Sequence, residues 1–302
     1  MIVRFEQVIE AARAAGPRRV AVLWPRQGSG LQGVVSAQEQ RLAQCTLVGD
    51  AEQILKLADR EGMTLSARQV IHEPLEQGAV RAALALCNKG EVDLLVNEGA
   101  SLRLLLPAVL DRESGLRSGG LLSGVSVVEP RQHTAPHDRL LLVSDGLMVV
   151  SPDLTQRIDI VQNAIGVAHR LGIDVPRVAL LAATEAVDPR SQVSVDAAQI
   201  TMMSRRGQIK GAIVDGPLGF DNAVSLPAAQ VKGIESDVSG QADILIAPDL
   251  ESGNMLLKTL VYLCQARAVN VVVGGRVPLL LSLPDDDAEA QVIRIALGVL
   301  LA

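Results

Sequence analysis

The stretch DGPLGFDNAVS (residues 215–225) places four polar side chains directly after the apolar run GAIV, which predicts a strand ending at Val214. Carboxylate, amide and hydroxyl groups can all hold a polar ligand, and this stretch supplies them in Asp215, Asp221, Asn222 and Ser225. The same residue types cap helices by accepting hydrogen bonds from free backbone N–H groups. The stretch therefore predicts either a ligand loop or a helix cap at the mouth of a strand.

Several other predicted strands also end in polar residues. In open α/β sheets, ligands bind beyond the carboxyl ends of the strands. The strand ends here carry Asn97 and Glu98, Ser144 and Asp145, Thr184 and Glu185, and Pro248 and Asp249. Helix capping explains each position taken alone. The convergence of so many polar ends is nevertheless what a binding cleft requires.

Strands and helices that position these side chains alternate along the chain. Short aliphatic runs predict strands at 19–24, 45–49, 93–97, 121–128, 139–145, 177–183, 211–216, 243–248 and 269–275. Longer stretches predict helices at 52–61, 76–89, 153–171 and 253–266, with a last one from about Ala288. This alternation is typical of an α/β fold with a mainly parallel sheet.

Composition and charge restrict the function classes. The net charge of the 302-residue chain is −6, and no basic run is longer than two arginines, so nucleic-acid binding has little support. Three scattered cysteines offer neither metal-ligand spacing nor a disulfide framework. The first residues are unlike a signal peptide, and no apolar run is long enough to span a membrane. We therefore expect a soluble, cytoplasmic protein without a membrane or nucleic-acid partner.

The segment GSGLQG (28–33) fits the glycine pattern of dinucleotide-binding loops, and Asp50 lies at roughly the spacing of the acidic residue in that fingerprint. However, the residues WPRQ separate these glycines from the preceding strand, and we expect the helix to begin only after Gly33. A nicotinamide site is therefore disfavoured. The chain has no G-x-S-x-G, H-E-x-x-H or P-loop motif.

Long motifs follow one another in a fixed order along the chain. In the second half they are SDGLMVVSPDLTQRIDIVQNAIGVAHRLGIDVPRVALLAATEAVDP (144–189), DGPLGFDNAVS (215–225), ADILIAPDLESGNMLLKTLVYL (242–263) and GGRVPLLL (274–281). In the first half they are LVGDAEQILKLADREGMTL, AALALCNKGEVDLLVN and AVLDRESGLRSGGLLSGVSV. Nearly the whole chain thus resembles the phosphate acetyltransferase and phosphate butyryltransferase family, most closely its butyryl branch.

The resemblance implies a fold and a reaction. The fold would comprise two α/β domains with mainly parallel sheets and an interdomain cleft, as in isocitrate and isopropylmalate dehydrogenases. Residues 1–135 and 278–302 would form one domain and residues 136–277 the other. The enzyme, a homodimer, would exchange an acetyl or butyryl group between coenzyme A and inorganic phosphate. The thiol would attack the acyl phosphate directly, with coenzyme A as a substrate and without a metal or a covalent enzyme intermediate.

The family's catalytic signature, roughly Thr-Ser-Arg-x-Asp-Ser after the last strand, is retained only in part. Aligned through RVPLLL, this chain has Leu283 and Pro284 at the serine and arginine positions. Asp286 matches the family aspartate, which makes it the predicted base for the thiol. Ser282, one residue earlier than the family serine, is the predicted replacement donor to the oxyanion.

The acidic residues of this loop have an alternative explanation. Asp286 or Asp287 also suits the N-cap of the final helix, where the helix dipole favours negative charge. Three adjacent acids would repel phosphate unless a cation elsewhere offsets them. A second departure also adds negative charge, since Glu98 stands where the family has a basic residue. A third departure places Gly124 where the family has a histidine.

Other motif positions match the family pattern and, with Asn97 and Ser123 beside the departures, form the predicted substrate-binding set. They are Asn97, Arg117, Ser123, Ser144, Asp145, Asp215, Gly216, Pro217, Asp221, Asn222, Ser225, Asn254 and Arg276, with Arg117 or Arg276 as the phosphate contact. Two functions fit this pattern. One is an acyltransferase acting on acyl-coenzyme A and inorganic phosphate or acyl phosphate. The other is a catalytically impaired paralogue that binds acyl-coenzyme A or another phosphorylated metabolite.

Overall fold

The computed structural model describes residues 1–131, 139–283 and 285–302. The predicted domain boundary at 135–136 and Pro284 lie outside these ranges. The described chain divides into two compact units. The terminal unit consists of Phe5–Leu122 and Val269–Ala302, and the central unit of Met1–Arg4 and Ser123–Ala268.

The terminal unit has six strands in the order β3-β2-β1-β4-β11-β10. They are β1 (Arg18–Leu23), β2 (Ala43–Gly49), β3 (Val70–His72), β4 (Leu94–Asn97), β10 (Arg267–Val273) and β11 (Leu279–Leu281). Neighbouring strands run parallel except β10 and β11. The helices are α1 (Phe5–Ala15), α2 (Gly28–Glu39), α3 (Ala51–Arg60), α4 (Glu76–Asn88), α5 (Leu102–Leu110) and α11 (Ala288–Leu301).

The central unit has five strands in the order β5-β6-β9-β7-β8, parallel except for the pair β5 and β6. They are β5 (Ser123–Glu129), β6 (Leu141–Ser144), β7 (Arg177–Leu181), β8 (Ile213–Leu218) and β9 (Ile244–Ile246). The helices are α6 (Leu154–Arg170), α7 (Gln192–Arg205), α8 (Phe220–Val224), α9 (Leu226–Val231) and α10 (Leu250–Lys258), followed by a π-helical turn at Thr259–Leu263.

Both units are built from buried aliphatic strands, as expected when helices cover a parallel sheet. The predicted α/β fold with mainly parallel strands is confirmed. The sequence pattern does not predict the short strands β3 and β11. The predicted helix start after Gly33 is wrong, because α2 begins at Gly28. Among the described residues, no helix combines the length and apolarity needed to cross a membrane.

Side-chain caps fix the starts of several helices. Asp50 accepts hydrogen bonds from two backbone N–H groups at the start of α3, and Asp153 forms a capping box with Gln156 at the start of α6. Asp249 accepts the N–H of Ser252 at the start of α10. At Asp249, the capping explanation of a polar strand end therefore applies.

Candidate active site

The loop between β11 and α11 begins beside the end of β4. Leu281 pairs with Asn97, and the next N–H, that of Ser282, donates to the Asn97 carbonyl at 3.1 Å. The Asn97 side chain closes its own turn, because its amide donates to the Ala100 carbonyl at 2.9 Å and accepts the Ala100 N–H at 3.0 Å. The Ser282 Oγ is buried and has no hydrogen-bond partner among the described residues. The candidate hydroxyl donor thus lies unused at the carboxyl ends of two parallel strands.

Two aspartates of this loop have different roles. Asp287 is the N-cap of α11, since its Oδ1 accepts the Ala290 N–H at 2.8 Å. Asp286 is not the cap: its Oδ2 accepts the Leu283 N–H and pairs with a guanidinium nitrogen of Arg294. The capping alternative therefore falls on Asp287, and the Asp286 carboxylate is held by the loop and by an arginine.

Arg294 was not predicted from the sequence. It lies on α11 with none of its surface exposed, and its Nη2 contacts Asp286 while its Nη1 donates to the Gln291 side chain. A signal was present, because Arg294 is the single charged residue in the apolar run VIRIALGVLL, and a buried charge needs a partner. The acid-rich loop before the helix supplies that partner.

Glu98, the acid at a basic family position, is also buried in the terminal unit. Its Oε2 accepts the N–H of Arg26 at 2.8 Å, immediately before α2, where the helix dipole favours an anion. Burial raises the pKa of Glu98, whereas backbone N–H groups and the charge of Arg294 act to lower it. Glu98 is thus partly compensated by a helix start and by the same arginine that holds Asp286.

Burial is also the largest influence on the pKa of Asp286. It raises the pKa of this carboxyl above the ordinary aspartate value, while the charge and hydrogen bond of Arg294 and the Leu283 N–H act to lower it. The neighbouring charge of Asp287 adds to the increase. A partly buried carboxylate with a raised pKa, placed at a strand end, is suited to accept a proton.

The glycines of GSGLQG have a packing role in the terminal unit. A Cβ on Gly30 would lie 2.0 Å from a Glu98 carboxylate oxygen, and one on Gly33 would lie 2.6 Å from the Ala288 carbonyl oxygen. Both glycines lie within α2, so the helix approaches Glu98 and α11 closely only because these side chains are absent. Close packing therefore accounts for two glycines of the motif.

Arg117 and Arg276 are brought together by the backbone of the terminal unit. Arg117 forms an isolated bridge with Gly275, and the Arg276 N–H donates to the Leu116 carbonyl at 2.8 Å. Both side chains are exposed, and neither forms a hydrogen bond or ion pair with the described residues. Two unpaired guanidinium groups on adjacent backbone form a suitable contact for an anion.

Four residues of the predicted substrate-binding set lie in the central unit and form hydrogen bonds there. They are Ser123, Ser144, Asp145 and Asn254. The Asp145 carboxylate is buried and accepts N–H groups from residues 124, 147, 148 and 149 at 2.7–3.2 Å. Burial raises its pKa and these donors lower it. Ser144 Oγ donates to the Gly124 carbonyl, and the Asn254 amide donates to the Gly146 carbonyl. The Ser123 hydroxyl accepts a hydrogen bond from the Asn163 side chain. Their substrate contacts remain predictions.

The DGPLGFDNAVS stretch folds as the end of β8 followed by α8 and the start of α9. Ser225 caps α9 by accepting the Ala228 N–H at 3.4 Å. Lys232 pairs with Asp221 at 2.9 Å and with Glu185 at 2.7 Å, and Asn222 donates to that same glutamate at 2.5 Å. The stretch therefore combines a helix cap with a local charge cluster.

Gly216 and Pro217 are joined by a cis peptide bond within β8. A Cβ on Gly216 would lie 2.6 Å from the Leu180 side chain, so this strand pair requires glycine there.

A cavity of about 530 Å³ borders β8 and is lined by Ser204, Arg205 and residues 212–215 and 235–237. Of the predicted substrate-binding residues, Asp215 lines it, 3.9 Å from the guanidinium of Arg205. The described residues contain no cluster of three or more His, Cys, Asp or Glu arranged for a metal ion.

Comparison with known proteins identifies the family. The model of a family described as phosphate acetyl/butaryl transferase matches residues 29–284. The chain is 36% identical to the phosphate butyryltransferase of Clostridium acetobutylicum over 302 residues, covering 100% of this chain and 99% of the relative. It is 37% identical to the phosphate acetyltransferase of Thermotoga maritima over 297 residues, covering 98% and 99%.

A solved structure adds a match in three dimensions. A branched-chain phosphotransacylase from Enterococcus faecalis V583 superposes with a TM-score of 0.79 at 26% identity, covering 94% of this chain and 98% of that one. Family model, sequence relatives and fold agree, and the resemblance seen in the sequence motifs is confirmed. The chain belongs to the phosphate acetyl/butyryl transferase family.

Proposed function

We propose that this chain exchanges a short acyl group, acetyl or butyryl, between coenzyme A and inorganic phosphate, with Asp286 as the base for the coenzyme A thiol. The observation that carries the proposal is the environment of the Asp286 carboxylate. It lies on the loop that follows β11, it does not cap α11, and it is paired with the buried Arg294. A carboxylate held in this way is available for proton transfer.

In the proposed reaction, Asp286 transfers a proton in both directions. When acyl phosphate is consumed, Asp286 takes the thiol proton, and the thiolate sulfur bonds to the acyl carbon. The bond from that carbon to the phosphate oxygen then breaks, and phosphate leaves with the electron pair. In the opposite direction phosphate attacks the thioester, and the protonated Asp286 returns the proton to the departing sulfur. Because burial raises its pKa, Asp286 is a better match to a thiol than an exposed aspartate.

Ser282 and the two exposed arginines complete the proposed machinery. The free Oγ of Ser282 is suited to donate a hydrogen bond to the oxyanion that forms on the acyl carbon. Arg117 and Arg276 are suited to hold phosphate, because a guanidinium can bind phosphate oxygens in pairs. They would supply the cation that the proline at position 284 cannot provide.

The alternative, a paralogue that binds acyl-coenzyme A without turnover, is not favoured. Relatives that match over nearly their whole length carry transferase names. The family resemblance supports an isocitrate and isopropylmalate dehydrogenase-like fold with an interdomain cleft, coenzyme A as the thiol substrate, and a homodimer. The sequence supports a cytoplasmic location.

An exposed apolar surface in the central unit supports the homodimer. Met255 on α10 has 63% of its surface exposed, and in the following π-helical turn Tyr262 and Leu263 have 56% and 79% exposed. Large apolar side chains exposed together in a short segment are typical of a protein interface. A second copy of the chain is the partner that the family resemblance implies.

A thiol-release assay tests the proposed function. Acetyl- or butyryl-coenzyme A is mixed with phosphate or arsenate, and the free thiol is measured with a chromogenic disulfide. We expect Asp286→Asn to lower the rate at least about 100-fold and Ser282→Ala to lower it by a comparable factor, since these are typical losses of a general base and of an oxyanion donor. Asp285→Asn, which removes an exposed acid from the same loop, is the matched control and should keep the wild-type rate. Absence of turnover by folded wild-type protein with both acyl chains would refute the proposal.

A further inference from the structure

Arg294 has an environment that the proposed reaction does not by itself explain. It is the only charged residue of α11 beyond the first turn, and none of its surface is exposed. Both terminal nitrogens are engaged, Nη1 with Gln291 and Nη2 with Asp286. A fully buried charge is retained only when partners compensate for its lost hydration.

Two carboxylates from distant parts of the sequence provide that compensation. Asp286 contacts the guanidinium directly, and Glu98 adds a second negative charge that acts on it. Glu98 is fixed in turn by the Arg26 N–H at the start of α2. The three charged groups therefore connect the end of β4, the start of α2 and the loop before α11.

We propose that Arg294 is a positioning residue: its buried guanidinium fixes the Asp286 carboxylate in the orientation and the ionised form needed for the reaction, and Glu98 stabilises that guanidinium. The part that concerns the reaction rests on the proposed function. Arg294 does not touch substrate in this arrangement, since it is fully buried and both Nη groups are engaged. Its effect passes through Asp286.

Carboxyl titration tests the pairing without relying on activity. The side-chain carboxyl carbons of labelled protein are followed by NMR against pH, and the Asp286→Asn variant identifies the Asp286 signal. We expect Arg294→Gln to raise the pKa of Asp286 by about 1–3 units, the usual effect of losing an opposite charge at contact distance. Arg294→Lys should restore part of the shift, because it keeps the charge but not the planar guanidinium. An Asp286 pKa that is the same in all three proteins would overturn the proposal.

Activity provides the second measurement. With coenzyme A and acyl phosphate as substrates, the direction that needs ionised Asp286, we expect the acidic limb of the pH profile of kcat to move upward in Arg294→Gln by the same amount as the Asp286 pKa, with the KM for acyl phosphate unchanged. A raised KM together with an unmoved limb would show that Arg294 acts on substrate binding instead, which contradicts the proposal. If the wild-type protein shows no turnover, the proposed function fails, while the carboxyl titration still decides whether Arg294 controls Asp286.

A second variant covers the case in which Arg294→Gln does not fold. Glu98→Gln keeps the arginine and removes the competing negative charge, so the pKa of Asp286 should fall, because the charges of Glu98 and Asp286 repel each other. This variant also keeps a side-chain oxygen able to accept the Arg26 N–H. An Asp286 pKa that rises or stays unchanged in Glu98→Gln would contradict the network.

Discussion

Replacement of Arg294 by methionine should reveal how much of the fold depends on one buried charge. Methionine fills a similar elongated space but leaves Glu98 and Asp286 without their shared cation. Removing one partner of a buried ion pair typically costs about 3–5 kcal/mol, because the remaining charge is buried and uncompensated. We expect Arg294→Met to lower the free energy of unfolding by that amount at neutral pH, a large part of a typical total of about 5–15 kcal/mol.

The loss should depend on pH in a defined direction. Burial raises the pKa of both Glu98 and Asp286 above their ordinary values, and Arg294 opposes that increase at each of them. Without Arg294 both pKa values rise further. A carboxyl whose pKa is raised by folding favours the folded state below its unfolded pKa, and this contribution is lost as the pH rises through the folded pKa. The gap between variant and wild type should therefore be smallest near pH 4 and widest near pH 7.

Urea unfolding followed by circular dichroism, at several pH values in this range, measures the gap. The double variant Glu98→Gln with Arg294→Met should recover part of the loss, because one of the two stranded carboxylates is gone. Arg190→Met is the matched control, since the Arg190 side chain is 90% exposed and its pairing with Asp188 should leave the unfolding midpoint unchanged. A variant as stable as wild type at pH 7, or a gap that does not change with pH, would refute the charge argument.

Two further predictions concern glycines of α2 and α6 and the exposed arginines Arg117 and Arg276. Gly33→Ala should destabilise the protein by about 1–3 kcal/mol because the new methyl group meets the first carbonyl of α11, whereas Gly166→Ala, with nothing within 4 Å, should stabilise α6 by about 0.5–1 kcal/mol; thermal midpoints that move in the same direction would contradict this. Arg117→Gln and Arg276→Gln should each raise the KM for phosphate with little change in kcat, whereas the exposed control Arg103→Gln should not. Unchanged phosphate KM in both variants would remove these arginines from the site.

The fold could be predicted largely from the sequence, because short aliphatic runs alternate with longer helical stretches, as is typical of an α/β fold. The errors have local physical causes. β3 has three residues, of which only Val70 and Ile71 are apolar, so no aliphatic run marks it. The predicted start of α2 is too late, because Gly28, Gly30 and Gly33 favour loops on propensity alone. Tertiary packing overrides that propensity, since α2 can approach α11 only without a side chain at Gly33 and can approach Glu98 only without one at Gly30.

The site was harder to predict, because it depends on single-residue register and on distant contacts. Asp286 and Asp287 are neighbours of the same type, and only the geometry of the loop decides that the second one caps the helix. Arg294 lies eight residues beyond Asp286, and its contact with the loop depends on the direction in which one side chain of α11 points. Glu98 is nearly two hundred positions from Arg294 in the sequence, so no local pattern connects them.

These contacts change the meaning of the departures from the family motif. Taken alone, an acid at position 98, where the family has a base, suggests a damaged site. Asp286 contacts Arg294 on the final helix, and the charge of this arginine also acts to lower the pKa of the buried Glu98. Without this arginine, Glu98 would be a buried charge that has lost the cation acting on it. Without the two acids, the buried guanidinium would lose the negative charges that compensate for its lost hydration. Substitutions at positions 98 and 294 should therefore be judged as a pair, since the cost of changing either one depends on the other.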